Sequence, residues 1–299
     1  MYINSIASTN VGTIRQNNED NFYLCGQYRA DTDTPSMTCT FDEKKRERYL
    51  FGVCDGMGGE ANGELASLIA VRLFDEYTED FKDSVERYVE QANAEICSEI
   101  ERRGGKRMGT TFAALEIAEG KAFAFNIGDS RIYHISENVI RRISEDHTQI
   151  RSLIKQGFVS EEAAKSHPAR HVLTQHLGIF PDEMIIEPYA AEAIDLKAGD
   201  MFLLCSDGLT DMLSDGDILS AASGSGTLKE KAEALIEAAL NAGGRDNVTV
   251  LLLSVCEDAP ADPEECETAY DAAEALLKRC GTSAGKELVD ELCRMLRER

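Results

Sequence analysis

Four aspartates sit beside glycine or asparagine at the margin of an apolar run. They lie in Phe51-Gly-Val-Cys-Asp55-Gly56, Phe125-Asn-Ile-Gly128-Asp129, Leu203-Leu-Cys-Ser-Asp207-Gly208 and Gly244-Arg-Asp246-Asn247-Val248. Each alone reads as turn chemistry, because Asp-Gly is a common turn pair, and Asp215-Gly216 is expected to be no more than that. Four together point elsewhere. A strand end is a rigid mount, and a flanking glycine lets ligand and backbone approach closely. Carboxylates gathered in one place repel one another and take up protons unless a cation neutralises them. The donors on offer are Asp, Glu and backbone oxygens, with no cluster of His or Cys, so the expected ion is hard: Mg2+, Mn2+ or Ca2+ rather than Zn2+. A fifth stretch, Arg15-Gln-Asn-Asn-Glu19-Asp20, adds two carboxylates and a guanidinium. For Arg15 a surface salt bridge is the ordinary reading. Beside a hard-metal site it reads better as a clamp for phosphate, whose oxygens match the guanidinium fork.

Such groups need strands to carry them. Short β-rich runs cover Ile3–Ser8, Phe22–Cys25, Tyr49–Cys54, Thr110–Ile117, Ala122–Ile127, Arg131–Ile135, Met201–Cys205 and Val248–Val255. Two amphipathic helices interrupt them. One near Gly63–Tyr77 carries Leu65, Leu68, Ile69, Leu73 and Phe74 at helical spacing. The other, near Ser84–Arg103, stripes Val85, Val89, Ala92, Ile96 and Ile100, with Asp83 or Ser84 as cap and Gly104-Gly105 as stop. Short helices are expected within Asp146–His176, one opened by Ser160, and a longer one over Leu228–Asn241. Strands and helices do not alternate strictly, which argues for α+β layers with helices covering antiparallel sheets.

The chain has 299 residues and a formal net charge of −23, from 31 Lys and Arg against 54 Asp and Glu. An anionic surface repels phosphate backbones and anionic lipid, so nucleic-acid and membrane binding are disfavoured. The nine cysteines form no C-x-x-C pair and suit a reducing compartment. No N-terminal basic-then-apolar pattern reads as a signal peptide, and no apolar run approaches the ~20 residues of a membrane span. A cytoplasmic location is expected. The composition changes after Cys256. Residues 1–256 read as one large domain, 257–265 as an acidic, proline-containing linker, and 266–299 as a C-terminal helical hairpin expected to cap that domain, with association with a partner or with itself as the alternative.

The ordered series Arg15…Glu19-Asp20, Asp55-Gly56-Met57-Gly58-Gly59, Gly109-Thr110-Thr111, Gly128-Asp129-Ser130-Arg131, Asp146-His147-Thr148, Ser206-Asp207-Gly208-Leu209 and Gly244-Arg245-Asp246-Asn247 resembles the bacterial metal-dependent protein Ser/Thr phosphatases of the PPM family, type 2C. The stretch Glu161–Gly178 resembles their flap. The resemblance implies a four-layer α/β/β/α sandwich of two antiparallel sheets flanked by helix pairs. It implies Mn2+ or Mg2+ as cofactor, with two core ions and a third, weaker one. Asp55 would bridge the core ions, Asp207 and Asp246 would complete one shell, and the Gly56 carbonyl would serve the other. Glu19 or Asp20 would hold the second ion directly or through water, with Asp20 preferred. Asp129 would help hold the third ion, and Arg15 would bind the substrate phosphate.

The implied reaction is hydrolysis of phosphoserine or phosphothreonine on proteins by a metal-activated water, opposing a bacterial Ser/Thr kinase. A catalytically weak pseudophosphatase acting as a binding module is the alternative. Met57 stands where eukaryotic relatives carry a histidine, leaving a metal-bound water or a histidine of 147–176 as the proton source.

Overall fold

The computed structural model describes residues 2–41, 46–58, 62–164 and 167–257. Gly59 of the Asp-Gly motif, the linker beyond Glu257 and the hairpin expected over 266–299 lie outside the described residues. In chain order the first strands are β1 (Tyr2–Asn10), β2 (Asn21–Leu24), β3 (Gln27–Tyr28), β4 (Ser36–Phe41), β5 (Arg48–Cys54) and β6 (Gly56–Met57). Helices α1 (Gly63–Leu73) and α2 (Phe81–Arg102) follow. Next come β7 (Gly109–Thr110), β8 (Phe112–Ala118), β9 (Lys121–Ile127), β10 (Arg131–Ser136) and β11 (Val139–Arg142). Short helices α3 (Gln149–Lys155) and α4 (Glu161–Ala164) lead to β12 (Tyr189–Ala190), β13 (Ile194–Asp195) and β14 (Met201–Cys205). Helices α5 (Asp207–Thr210), α6 (Asp215–Ala222) and α7 (Leu228–Asn241) precede β15 (Val248–Cys256).

The strands pair antiparallel throughout. One sheet runs β11-β10-β14-β15-β1-β4, a second runs β12-β9-β8-β5-β2-β3 with β13 also on β9, and β6 pairs with β7 alone. The fold is α+β, as expected. Alternation along each strand sends neighbouring side chains to opposite faces. Thus Phe51 and Val53 of β5 join Phe202 and Leu204 of β14 in one buried cluster shared by the two sheets. Leu50 and Cys54 instead pack with Phe74, Tyr88 and Ile96 of the α1–α2 region. Leu203 and Cys205 pack with Ile218, Leu235 and Ala239 of α6 and α7.

Several local expectations shift. Helix α2 starts at Phe81 behind Asp80, a turn before the anticipated Asp83 or Ser84 cap. Packing decides this, since Phe81 is fully buried against Phe74, Tyr88 and Phe125, and the Lys82 amide finds Glu116 at 2.6 Å. The helix expected to reach Tyr77 ends at Leu73 and tightens into a 3-10 turn over Phe74–Tyr77. Asp215-Gly216 is no turn. It opens α6 behind Ser214, whose side chain and that of Asp217 form a reciprocal capping box. The run expected as one strand from Thr110 to Ile117 splits at Thr111, because Thr110 pairs with Gly56 while Phe112 pairs with Ile127.

Register explains what the fold positions. In the first sheet Asn10 faces Val248 and Arg131 faces Cys205. In the second, Asn21 faces Cys54 and Phe112 faces Ile127. The residues just beyond these pairs therefore emerge at one end of each sheet. Those residues are Asp20, Asp55, Asp129, Asp207 and Asp246.

Candidate metal centre

Asp55 leaves β5 in a backbone clasp. Its amide donates to Thr111 Oγ1 at 3.0 Å, and its carbonyl accepts from the Thr111 amide at 2.9 Å and Thr110 Oγ1 at 2.8 Å. The threonines of the Gly-Thr-Thr motif thus fix the Asp55 main chain, and the break between β7 and β8 is what frees them to do so. Gly56 follows in a gap where a Cβ would lie 2.2 Å from the Gly63 carbonyl oxygen and 2.5 Å from that of Glu19. Only glycine fits there.

Asp20 is fully buried, and its Oδ2 accepts from Ser206 Oγ at 2.6 Å and Thr249 Oγ1 at 2.8 Å. Glu19 is pinned through its main chain: its amide donates to Asn247 Oδ1, and its carbonyl accepts from the Gly56 amide and Ser67 Oγ. Its side-chain Oε1 is buried without a hydrogen-bond partner. Asp207 opens α5, where a carboxylate meets the positive end of a helix turn. Asp246 accepts from its neighbour's amide at 2.8 Å and from Arg15 Nη2 at 2.6 Å. The ordinary reading of Arg15, an ion pair, is therefore present, and its partner is one of the site carboxylates. About half of the Arg15 side chain stays exposed.

These acids load one another. Burial, and then the charges of Asp20, Asp207, Asp129 and Asp246, push the Asp55 carboxyl well above its usual range. Asp207 is pushed up likewise by burial and then by Asp129, Asp211 and Asp246. Burial raises Glu19 to about 7, with Glu64 adding and Arg15 opposing. Burial raises Asp20 to about 6 against the Ser206 and Thr249 hydroxyls. Asp129 reaches about 7 through burial and Asp146, with Arg131 opposing. Buried carboxylates of like charge in one place, an all-oxygen donor set and an orphaned Glu19 oxygen are what a hard divalent cation relieves. The residues fit the implied metal.

The structure adds Asp211, which the sequence pattern did not single out, and among the histidines of 147–176 it brings His171 to the acids. His171 Nδ1 lies 3.9 Å from Asp207 Oδ2, and its Nε2 lies 3.5 Å from Asp211 Oδ2. One ligand atom from each of these three lies within 4.8 Å of the others. They border a cavity of about 940 Å3 that Asp129, Arg131 and Arg151 also line. Asp211 follows Asp207 by one helical turn, a spacing readable only once α5 is known to be a helix. Asp146 of the Asp-His-Thr motif turns out to anchor Arg131 and Arg142 at 2.8 and 2.9 Å, while Thr148 caps α3.

Residues 33–242 match the family model described as Protein phosphatase 2C. The serine/threonine phosphatase stp of Listeria innocua is 32% identical over 258 residues, spanning 82% of this chain and 93% of that protein. Protein phosphatase PhpP of Streptococcus pneumoniae is 32% identical over 260 residues, spanning 84% and 96%. The catalytic domain of the serine threonine protein phosphatase PstP, solved in complex with two manganese ions, superposes with a TM-score of 0.69 at 29% identity. It covers 86% of this chain and all of that one.

Proposed function

This chain belongs to the protein phosphatase 2C family, and from that footing we propose how its own residues carry the reaction. It is a metal-dependent protein serine/threonine phosphatase, and the catalytic reading stands over the pseudophosphatase one. The observation that carries the site assignment is the set of mutually charged acids at one end of both sheets, with a buried Glu19 oxygen that no donor satisfies.

Asp55 would bridge two divalent ions, Mn2+ or Mg2+, with Asp207 and Asp246 on one and the Gly56 carbonyl on the other. Glu19 rather than Asp20 is the better candidate for the second ion or its water, because Asp20 Oδ2 already accepts two hydroxyls. Asp129 would help hold a third, weaker ion beside Asp207. Ions held by these residues would supply an acidified water as the nucleophile toward phosphorus. Arg15 holds phosphate oxygens and stabilises the charge that develops on them. The reaction calls on no nucleophile from the two cysteines beside the motifs. Cys54 and Cys205, next to the two motifs, are fully buried, and burial pushes Cys54 well up and Cys205 to about 12.

The three successive apolar clusters support a four-layer α/β/β/α stack. Phosphorylated proteins are the substrates we infer, with a Ser/Thr kinase as the opposing enzyme and the cytoplasm as the setting. No helix among the described residues is long and apolar enough to cross a membrane. The decisive experiment follows hydrolysis of a phosphothreonine peptide and p-nitrophenyl phosphate by the full chain with Mn2+ and after EDTA. Turnover that survives complete removal of metal overturns this mechanism.

A further inference from the structure

Arg29 is among the largest side chains buried completely in this fold, and its partners are unusual. All five of its side-chain hydrogen bonds go to main-chain carbonyls. Nη1 donates to Asp31, Thr32 and Thr34 at 3.5, 2.8 and 3.1 Å, and Nη2 donates to Asn18 and Asp20 at 2.6 and 2.7 Å. The two carbonyls taken by Nη2 bracket Glu19. The guanidinium is delivered by the β2–β3 hairpin and fixed at its root. The Arg29 amide donates to Asn21 Oδ1, and Asn21 Nδ2 donates back to the Arg29 carbonyl.

With the contacts already described, the main chain around Glu19 is held on every side. Asn247 takes its amide, Gly56 and Ser67 bond its carbonyl, and Arg29 takes the carbonyls before and after. Two buried side-chain atoms in this cage are left without a hydrogen-bond partner, Glu19 Oε1 and Arg29 Nε. A guanidinium taken out of water is costly unless its donors are met, and here carbonyls meet Nη1 and Nη2 without cancelling the charge, while Nε goes unmet. Burial lowers the Arg29 pKa, and the charges of Asp20, Asp31 and Glu64 oppose that loss, so the cation sits behind the acids.

We propose that Arg29 is a positioning residue for the ion-binding carboxylates. It sets the peptide planes on both sides of Glu19, so that Glu19 meets the ion already in place, and it offsets the acidic cluster from the protein side. The proposal rests on the reading that these carboxylates hold the ions. Its action runs through Glu19 and Asp20, and Arg29 touches neither substrate nor metal.

The test uses the full chain carrying Arg29→Lys or Arg29→Gln. Mn2+ binding is measured by calorimetry, the melting temperature without metal, and hydrolysis of p-nitrophenyl phosphate as a function of Mn2+. Lysine keeps the charge but lacks the fork that spans Asn18 and Asp20. Loss of an outer-shell partner weakens metal binding by about 10–100-fold. Both variants should fall in that range, with glutamine worse. The Mn2+ needed for half-maximal rate should rise in parallel, and kcat should recover at saturating Mn2+. Phe81→Leu, in the helix–sheet core, lowers melting temperature through packing alone and should leave Mn2+ affinity intact.

Parent-like Mn2+ affinity in Arg29→Lys and Arg29→Gln overturns the proposal. So does a loss no larger than Phe81→Leu shows at matched destabilisation. If Arg29→Gln does not fold, Arg29→Lys decides alone. A parent protein without Mn2+-dependent hydrolysis fails the reading of the site instead, so the two failures are distinguishable.

Discussion

Asn247 Oδ1 accepts the amide of Glu19 at 2.8 Å, and its Nδ2 donates to the carbonyls of Val11 and Asn17 at 2.9 Å each. A side chain beside one site carboxylate, Asp246, thereby sets the main chain of another. Asn247→Ala leaves one amide and two carbonyls without this partner, which should cost about 2 kcal/mol of stability. Urea unfolding of the metal-free protein measures it. Mn2+ affinity should fall in the same variant, and an unchanged calorimetric titration would show that Glu19 holds its place without Asn247.

Asp55→Asn removes a charge that burial and four neighbouring acids load. Turnover should drop by more than the ~100-fold limit for outer-shell partners. The metal-free melting temperature should hold or rise, since a source of like-charge repulsion is gone. A scanning-fluorimetry profile beside a phosphatase assay reads both, and a collapse of the fold would return Asp55 to a structural role.

Arg15→Ala separates clamp from salt bridge. As a clamp, Arg15 serves ground state and transition state together, so KM for a phosphopeptide should rise and kcat/KM should fall by about 100-fold. Asp246 also loses its guanidinium partner, so Mn2+ affinity should stay equal or tighten. Unchanged kinetics in steady-state assays would leave Arg15 as an ion pair only.

The acids make the metal-free protein pH-sensitive in a definite direction. Folding raises Glu19 and Asp129 to about 7 and Asp20 to about 6. Below the ordinary carboxylate range, about pH 4, these groups are protonated in both states and their stabilisation is fully present. As pH rises through 6 and 7 the folded state must give up protons that the unfolded chain released earlier, and stability falls. The EDTA-treated protein should therefore melt lower at pH 7.5 than at pH 5.5. Mn2+ favours the ionised forms, so the rise in melting temperature on adding it should be larger at pH 7.5.

Two Asp-Gly pairs that look alike in sequence should respond oppositely to alanine. At Gly208 a Cβ would lie 1.9 Å from the Asn247 carbonyl oxygen, whereas at Gly216 the nearest atom is Ser214 Oγ at 3.7 Å. Gly208→Ala should cost about 1–3 kcal/mol by overpacking and weaken Mn2+ binding. Gly216→Ala should gain about 0.5 kcal/mol from helix propensity. Denaturant midpoints for the pair decide it.

The site acids were legible because a carboxylate after an apolar run is a chemical anomaly that needs no tertiary knowledge. The strands that carry them were legible as apolar, largely aromatic or aliphatic runs bounded by Gly, Asn or Asp. What escaped was set by context. Strand β11 was hidden because its two-residue turn, Glu137-Asn138, takes positive φ at both positions without the expected glycine. Edge strand β4 carries only Met37, Cys39 and Phe41 as apolar positions and owes its form to pairing with β1. Arg29, Asp211 and His171 gain meaning only from what the fold sets beside them. No spacing in the chain announces a guanidinium bonded to five carbonyls.

Strand β1 pairs with β15 over its whole length, from Tyr2 opposite Cys256 to Asn10 opposite Val248. During synthesis, therefore, the first of the described strands must wait for the last of them. A ribosome that has not yet released Val248–Cys256 presents a chain carrying Arg15, Glu19, Asp55 and Asp207 but no closed first sheet and no Asp246 beside Arg15. Assembly of the centre is a late, sequence-distant event, of the kind that folds slowly and leaves strand edges open in the meantime. On the reading proposed above, a chain cut before Gly244 lacks both Asp246 and the strand that pairs with all of β1, and it should show no Mn2+-dependent hydrolysis.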